Sequence, residues 1–192
     1  MGFQYELAKQ FAQSLGMKLQ VKTAKSTLEM VHKLQQGEGD LIAYPLPITK
    51  RLKDSILFCG EDIITHQVLV QRNSNKNLKA LTNVTELIGK HVYVKPGKYL
   101  NRLKNLDKEL GGGILIHEVA NDSISLEDLI MQVSNGTIDY TLCDNDLARL
   151  NKTYYTNLNV SLPISFDQRA SWAVRKTSPL LAEAANQWHE QN

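Results

Sequence analysis

Residues 28 to 44 read LEMVHKLQQGEGDLIAY, and residues 127 to 144 read EDLIMQVSNGTIDYTLCD. With Gly37 set on Gly136, Met30, Val31, Leu34 and Asp40 fall on Leu129, Ile130, Val133 and Asp139. In both copies apolar residues recur at helical spacing, stop at a glycine that suits a left-handed helix end, and give way through an Asp to a run of strand formers. Both helices also open alike. Ser26 with Glu29, and Ser125 with Asp128, place a hydroxyl acceptor at the cap and an acid three residues on, which satisfies free N–H groups and suits the helix dipole. One helix-to-strand unit used twice predicts two similar lobes.

Working outward, Phe3, Leu7, Phe11 and Leu15 predict a first helix closed by Gly16, and Met17, Leu19 and Val21 alternate as a strand. The strand Leu41 to Tyr44 is expected to stop at Pro45 and Pro47, which lack the N–H a ladder needs. Ile48 to Arg51 then forms a polar, cationic loop at the C-terminal end of a parallel strand, the edge where open α/β sheets bind ligands. Residues 63 to 72 read as one long strand, and the polar run NSNKN (73 to 77) marks a lobe boundary. Beyond it come a short helix over VTELI, a strand from His91 to Val94, and the turn Lys95-Pro96-Gly97-Lys98. That turn leads into a helix carrying Tyr99, Leu103, Leu106 and Leu110. A strand, a glycine turn and a helix N-terminus suit an anion, and equally suit a plain connection. Ile114 to Val119 and Leu158 to Leu162 are read as strands, and Trp172 to Val174 as another. Asp144 stands at a strand's C-terminal edge and ahead of a helix, so it serves as helix cap, as ligand contact, or as both. Thr177-Ser178-Pro179 opens the last helix.

Composition narrows the function classes. The chain has 192 residues, 42% of them apolar and 22% charged, with a net charge of +2. That is ordinary globular material without the basic stripe that phosphate binding uses, so nucleic acid is not expected as a partner. No run approaches the roughly 18 apolar residues of a membrane span, and no signal peptide is visible. The five histidines are scattered and the two cysteines lack metal-ligand spacing, so neither metal nor cofactor is expected. Strand-like surroundings favour buried free thiols at Cys59 and Cys143 over a disulfide. Asn-x-Ser/Thr triplets at Asn83, Asn121, Asn135, Asn151 and Asn159 matter only in a glycosylating secretory context. No nucleophile, metal or paired-acid arrangement stands out, and solvated surface acids account for the carboxylates.

The order of GFQYELAKQFAQSLGMKLQV, GEGDLIAY, VTELIGKHVYV, NGTIDYTLCD and WAVRKTSPLLAEAANQ resembles the bacterial extracellular solute-binding proteins of family 3, across nearly the whole chain. Within that family, ELAKQFAQSLGMKLQVK, KRLKDS, LEDLIMQVSNGTIDYTLCDNDLARL and Trp172 are most similar to the N-terminal module of the membrane-bound lytic murein transglycosylase F group. The resemblance implies an α/β, two-lobed type II periplasmic-binding-protein fold. Each lobe would be a mixed sheet flanked by helices, with a hinge of two crossing strands. Lobe one would comprise residues 1–72 and 164–192, and lobe two 73–163. It also implies a central strand ahead of the Gly-Phe start. That strand is not in this sequence, so a truncated or rearranged lobe is expected, or strand exchange between chains.

The function so implied is a non-catalytic solute-binding or regulatory module that closes over an amino acid, a peptide or a cell-wall fragment. The setting would be the periplasm, with outer-membrane anchoring in a full-length protein whose transglycosylase domain follows. The alternative is a free-standing amino-acid receptor serving an ABC permease. The effector half of a transcription regulator shares the fold but would need a DNA-binding helix pair. Ligand contacts would come from Tyr44, Thr49 and Arg51 in lobe one and from Lys98, Tyr99 and Asp144 in lobe two. Arg51 would take the ligand carboxylate and Asp144 the α-amine. Three departures bear on such a pocket. Thr49 and Arg51 are closer together than the family's Thr and Arg. Tyr44-Pro45-Leu46-Pro47 replaces a flexible glycine loop. Gly97-Lys98-Tyr99 replaces a hydroxyl with a cation.

Overall fold

The computed structural model describes residues 2–192. In chain order its elements are α1 (Phe3–Ser14), α2 (Thr27–Gln35), β1 (Leu41–Pro47), α3 (Lys50–Ser55), β2 (Ile56–Thr65) and β3 (Gln67–Arg72). A 3-10 turn (Val84–Leu87), β4 (His91–Val94), α4 (Lys98–Glu109), β5 (Leu115–Glu118), α5 (Leu126–Asn135) and β6 (Thr141–Asp144) follow. The chain ends with α6 (Asn145–Tyr154), β7 (Leu158–Asn159), β8 (Gln168–Arg175) and α7 (Pro179–Gln191). It divides into two compact units, one of residues 2–64 and 168–192, the other of 65–167. The division falls at Thr65 and Asp167, not at the polar run 73 to 77. The expected strand 63 to 72 is broken at His66 into β2 and β3, and β3 belongs to the second unit.

In the first unit the sheet order is β1-β8-β2, with β1 antiparallel to β8. Alternation along β8 sends Trp172 and Val174 into a core with Phe11, Ala8, Cys59, Ala182 and Ala185. Ala173 points the other way, into a core with Val31, Leu34, Ile42, Leu46 and Ile56. Three expectations are corrected here. Residues 17 to 24 form no strand, because no ladder partner pairs with them among the described residues and a strand exists only as part of a ladder. Strand β1 does not stop at the prolines but runs through Pro45 and Pro47. It lies at the edge of its sheet and its register shifts between Ile42 and Leu46, the two settings in which proline is tolerated in a strand. The expected loop at 48 to 51 is the start of α3, with Thr49 as its cap.

In the second unit β3 pairs antiparallel with β6 and with β7, and β4 pairs parallel with β5. The Tyr93 N–H donates to the Tyr140 carbonyl, linking β4 to the chain entering β6. The core gathers Val68, Leu69 and Val70 of β3 with Leu103, Leu129, Ile130, Val133 and Leu142. Gln71 is tolerated inside it because its carboxamide both donates to the Leu81 carbonyl (2.9 Å) and accepts from the Leu81 N–H (2.7 Å). The expected strand at 158 to 162 is only the two-residue β7, since Asn159 folds its side chain onto Ser161.

The repeated unit is real in three dimensions. The Ser26 hydroxyl accepts from the Glu29 N–H, and Ser125 and Asp128 form a full reciprocal box. Gly37 and Gly136 have φ of 79° and 85°, the left-handed backbone that ends each helix. The structure adds a partner to the repeat. Arg175 donates to the Leu34 and Gly39 carbonyls and to Asp40. Arg72 donates to the Val133 and Ile138 carbonyls and to Asp139. On the Gly37/Gly136 alignment these acceptors are the same three positions. Each arginine therefore staples the end of the repeat helix to the start of the repeat strand.

The thiols give a direct check on burial. Cys59 and Cys143 are free and buried, one in each unit. Burial pushes both thiols up to about 12, and the Asp144 charge adds to the effect at Cys143. At pH 8 a thiolate fraction of roughly one in ten thousand follows, so native protein is expected to label with a disulfide reagent only as fast as it opens. Both thiols should react at once in denaturant. Labelling of either within the mixing time under native conditions would contradict this packing.

Candidate functional site

In the second unit the three predicted residues meet. Lys98 opens α4, and its Nζ donates to Asp144 Oδ2 at 2.6 Å. Tyr99, the next residue and 9% exposed, points its hydroxyl at the backbone N–H of Asp144, which donates to it at 3.4 Å. The Lys98 ammonium also lies 5.3 Å from the Tyr99 ring centre. Asp144 occupies the cap position of α6 but makes no side-chain cap bond, because its carboxylate turns to Lys98. Of the two roles open to it, the helix cap is therefore not made. The pair is part exposed, 37% at Lys98 and 25% at Asp144, so it is an ion pair at a wet boundary.

The glycine turn before α4 holds Gly97 at φ 104°, and Lys95 is engaged below it. Its ammonium donates to the carbonyls of Asn121 (2.9 Å) and Ile124 (2.6 Å), fixing the loop that leads to α5. The cations of this turn thus serve an internal acid and internal carbonyls.

In the first unit the predicted residues are not gathered in the same way. Tyr44 is 38% exposed on β1, beside the register shift. The Thr49 hydroxyl accepts from the Leu52 N–H at 3.2 Å as the cap of α3. Arg51 is exposed in the first turn of that helix. Among the described residues no hydrogen bond joins the side chains of Tyr44, Thr49 and Arg51.

Two features escaped sequence reasoning. The histidines are not all scattered: parallel register sets His117 opposite Tyr93, and His91 Nδ1 lies 2.8 Å from His117 Nε2. A period-two reading of both strands would have put these rings on one face. The second is Gln67, 8% exposed and directly opposite Asp144 in the β3–β6 ladder. Its Oε1 has no hydrogen-bond partner among the described residues.

The model of the bacterial extracellular solute-binding proteins, family 3, matches residues 1–192. The chain belongs to that family. Among curated relatives, a membrane-bound lytic murein transglycosylase F from Desulfosudis oleivorans is 32% identical over 192 residues, all of this chain and 41% of the relative. One from Saccharophagus degradans is 32% identical over 186 residues, 95% of this chain and 36% of the relative. This family 3 chain thus spans well under half the length of these relatives.

Solved structures agree on the fold. The arginine-bound form of a truncated arginine-binding protein from T. maritima superposes with a TM-score of 0.75 at 24% identity, over all of this chain and 86% of that one. An amino-acid ABC transporter substrate-binding protein from Streptococcus pneumoniae, bound to L-arginine, gives 0.76 at 20% identity over all of this chain and 77% of that one. The chain is a solute-binding domain of the type II periplasmic fold, not a catalytic domain.

Proposed function

We propose that this chain is the solute-binding, regulatory module of a periplasmic lytic murein transglycosylase anchored at the outer membrane. Its ligand is a small polar molecule of amino-acid, peptide or cell-wall-fragment type. Lys98, Tyr99 and Asp144 are its ligand contacts in the second unit, and Tyr44, Thr49 and Arg51 those in the first. The observation that carries this reading is similarity along the whole of this chain to relatives named as transglycosylases, in a region that matches the solute-binding family model. Free-standing transport is the competing reading, and it draws on the arginine-bound fold neighbours.

A thermal-shift screen against free amino acids, short peptidoglycan peptides and muropeptides separates the two. A ligand at 100 times its dissociation constant adds about 2.7 kcal/mol of stability. Wall peptides or muropeptides are expected to give that shift, and Asp144→Ala and Arg51→Ala are expected to abolish it. A response to free amino acids alone would replace this reading with transport.

A further inference from the structure

The acid at the edge of β6 already has an ammonium partner in the protein itself. Lys98 Nζ sits 2.6 Å from Asp144 Oδ2, held there by the first turn of α4. A ligand ammonium aimed at the same carboxylate would have to displace a tethered competitor, whose effective concentration is set by its short tether. It would also sit against a second positive charge at close range, where the Coulomb term is unfavourable even in a high dielectric. What the pair offers outward is therefore not an unmet negative charge. It is a donor and an acceptor side by side.

Gln67 completes this pattern. Directly opposite residues of an antiparallel ladder project to the same face, so the Gln67 and Asp144 side chains are neighbours. Gln67 is nine-tenths buried, yet its Oε1 is unsatisfied among the described residues, a condition that costs stability unless something donates to it. Its carboxamide carries an acceptor and a donor, so it can pair with a ligand amide in either sense.

We infer that Gln67, Lys98 and Asp144 form an amide-reading site, in which the second unit takes a neutral acylated nitrogen or peptide bond in preference to a free α-ammonium. Lys98 donates to the ligand carbonyl, and Gln67 Oε1 with the Asp144 carboxylate accepts from the ligand N–H. Lys98 is the specificity determinant because it neutralises Asp144. This deepens the solute-binding reading above and rests on it.

The test compares two matched series on the intact chain by thermal shift and calorimetry: common L-amino acids and their Nα-acetyl forms, with Ala-Ala as a peptide probe. Wild type is expected to prefer the acylated member of a binding pair by about tenfold, the scale of one close screened charge interaction. Lys98→Met frees Asp144 and is expected to reverse the preference by a similar factor. Gln67→Met, of matched size, is expected to weaken the acylated member about tenfold, so the inference does not hang on one variant. Preference for the free amino acid in wild type, or an unchanged ratio in folded Lys98→Met, would overturn the inference alone. No response to either series or to the peptide, in protein that is also silent toward wall peptides and muropeptides, would overturn the solute-binding reading beneath it.

Discussion

Arg72→Ala is expected to lower stability by about 2 to 3 kcal/mol, and Arg175→Ala by about 1 to 3, because each change removes a charged donor from two carbonyls and leaves one of them, that of Ile138 or Gly39, without a donor, while the Val133 and Leu34 carbonyls keep the Gly136 and Gly37 N–H groups. The argument is one of burial. The Arg72 side chain is 15% exposed and that of Arg175 25%, whereas the acids they meet, Asp139 and Asp40, are 51% and 81% exposed. Ion pairs with acids so open to water are worth little, since solvent screens them. The energy lies in the part-buried guanidinium bonds to the carbonyls of Val133, Ile138, Leu34 and Gly39. Lysine offers a single donor point in place of a planar fork, so Arg72→Lys and Arg175→Lys should recover less than half of the loss. Asp40→Ala should cost under about 1 kcal/mol. Urea unfolding midpoints at constant slope decide the matter. An Asp40→Ala loss equal to that of Arg175→Ala would show that the pair is ionic and the staple argument mistaken.

This staple marks where sequence reading stopped. The helix, glycine, Asp and strand of the repeat were legible because they are local, with spacing set by helix and strand geometry. The arginines are not local. Continuing the register of Val70 opposite Thr141 sets Arg72 opposite Asp139, and Leu41 opposite Val174 sets Arg175 opposite Asp40. In one unit the strand bearing the arginine precedes the repeat in sequence, and in the other it follows, so no linear alignment shows the match. Val-Gln-Arg at 70 to 72 and Ala-Val-Arg at 173 to 175 are the only trace.

The same division explains the candidate site. Lys98 and Asp144 could be placed at strand-to-helix junctions because strand ends and helix starts are punctuated by Pro, Gly and Asp, whereas Tyr99 entered as a contact only through the family resemblance. Gln67 was not, since it lay inside a run read as one strand, and its importance comes from its cross-strand partner. Errors in the first unit share a cause. Residues 17 to 24 have strand propensity without a ladder, and Pro45 and Pro47 lack strand propensity but have one. Pairing outranks local preference in a sheet.

Trp172→Ala is expected to cost about 3 to 5 kcal/mol, the range for emptying a buried indole site. Trp172 is 3% exposed at the centre of β8, and it joins three elements of the first unit. Its ring centre lies 6.3 Å from that of Phe11 on α1 and 4.8 Å, edge-on, from that of His189 on α7. Its indole N–H donates to Gln4 Oε1 at 2.7 Å. The void would border residues as small as Ala8, Ala182 and Ala185, which have little volume with which to refill it. Trp172→Phe keeps most of the ring and loses the bond to Gln4, so about 1 to 2 kcal/mol is expected. Gln4→Ala removes only the acceptor from a part-exposed position, and under about 1 kcal/mol should follow. Circular dichroism in urea reads all three variants, and Trp188, the second tryptophan of the chain, keeps a fluorescence signal in each. If the two units unfold as separate transitions, Trp172→Ala and Arg175→Ala should move one and Arg72→Ala the other. A Trp172→Ala loss below 1 kcal/mol would mean that α1 and α7 hold the first unit together without the strand they share.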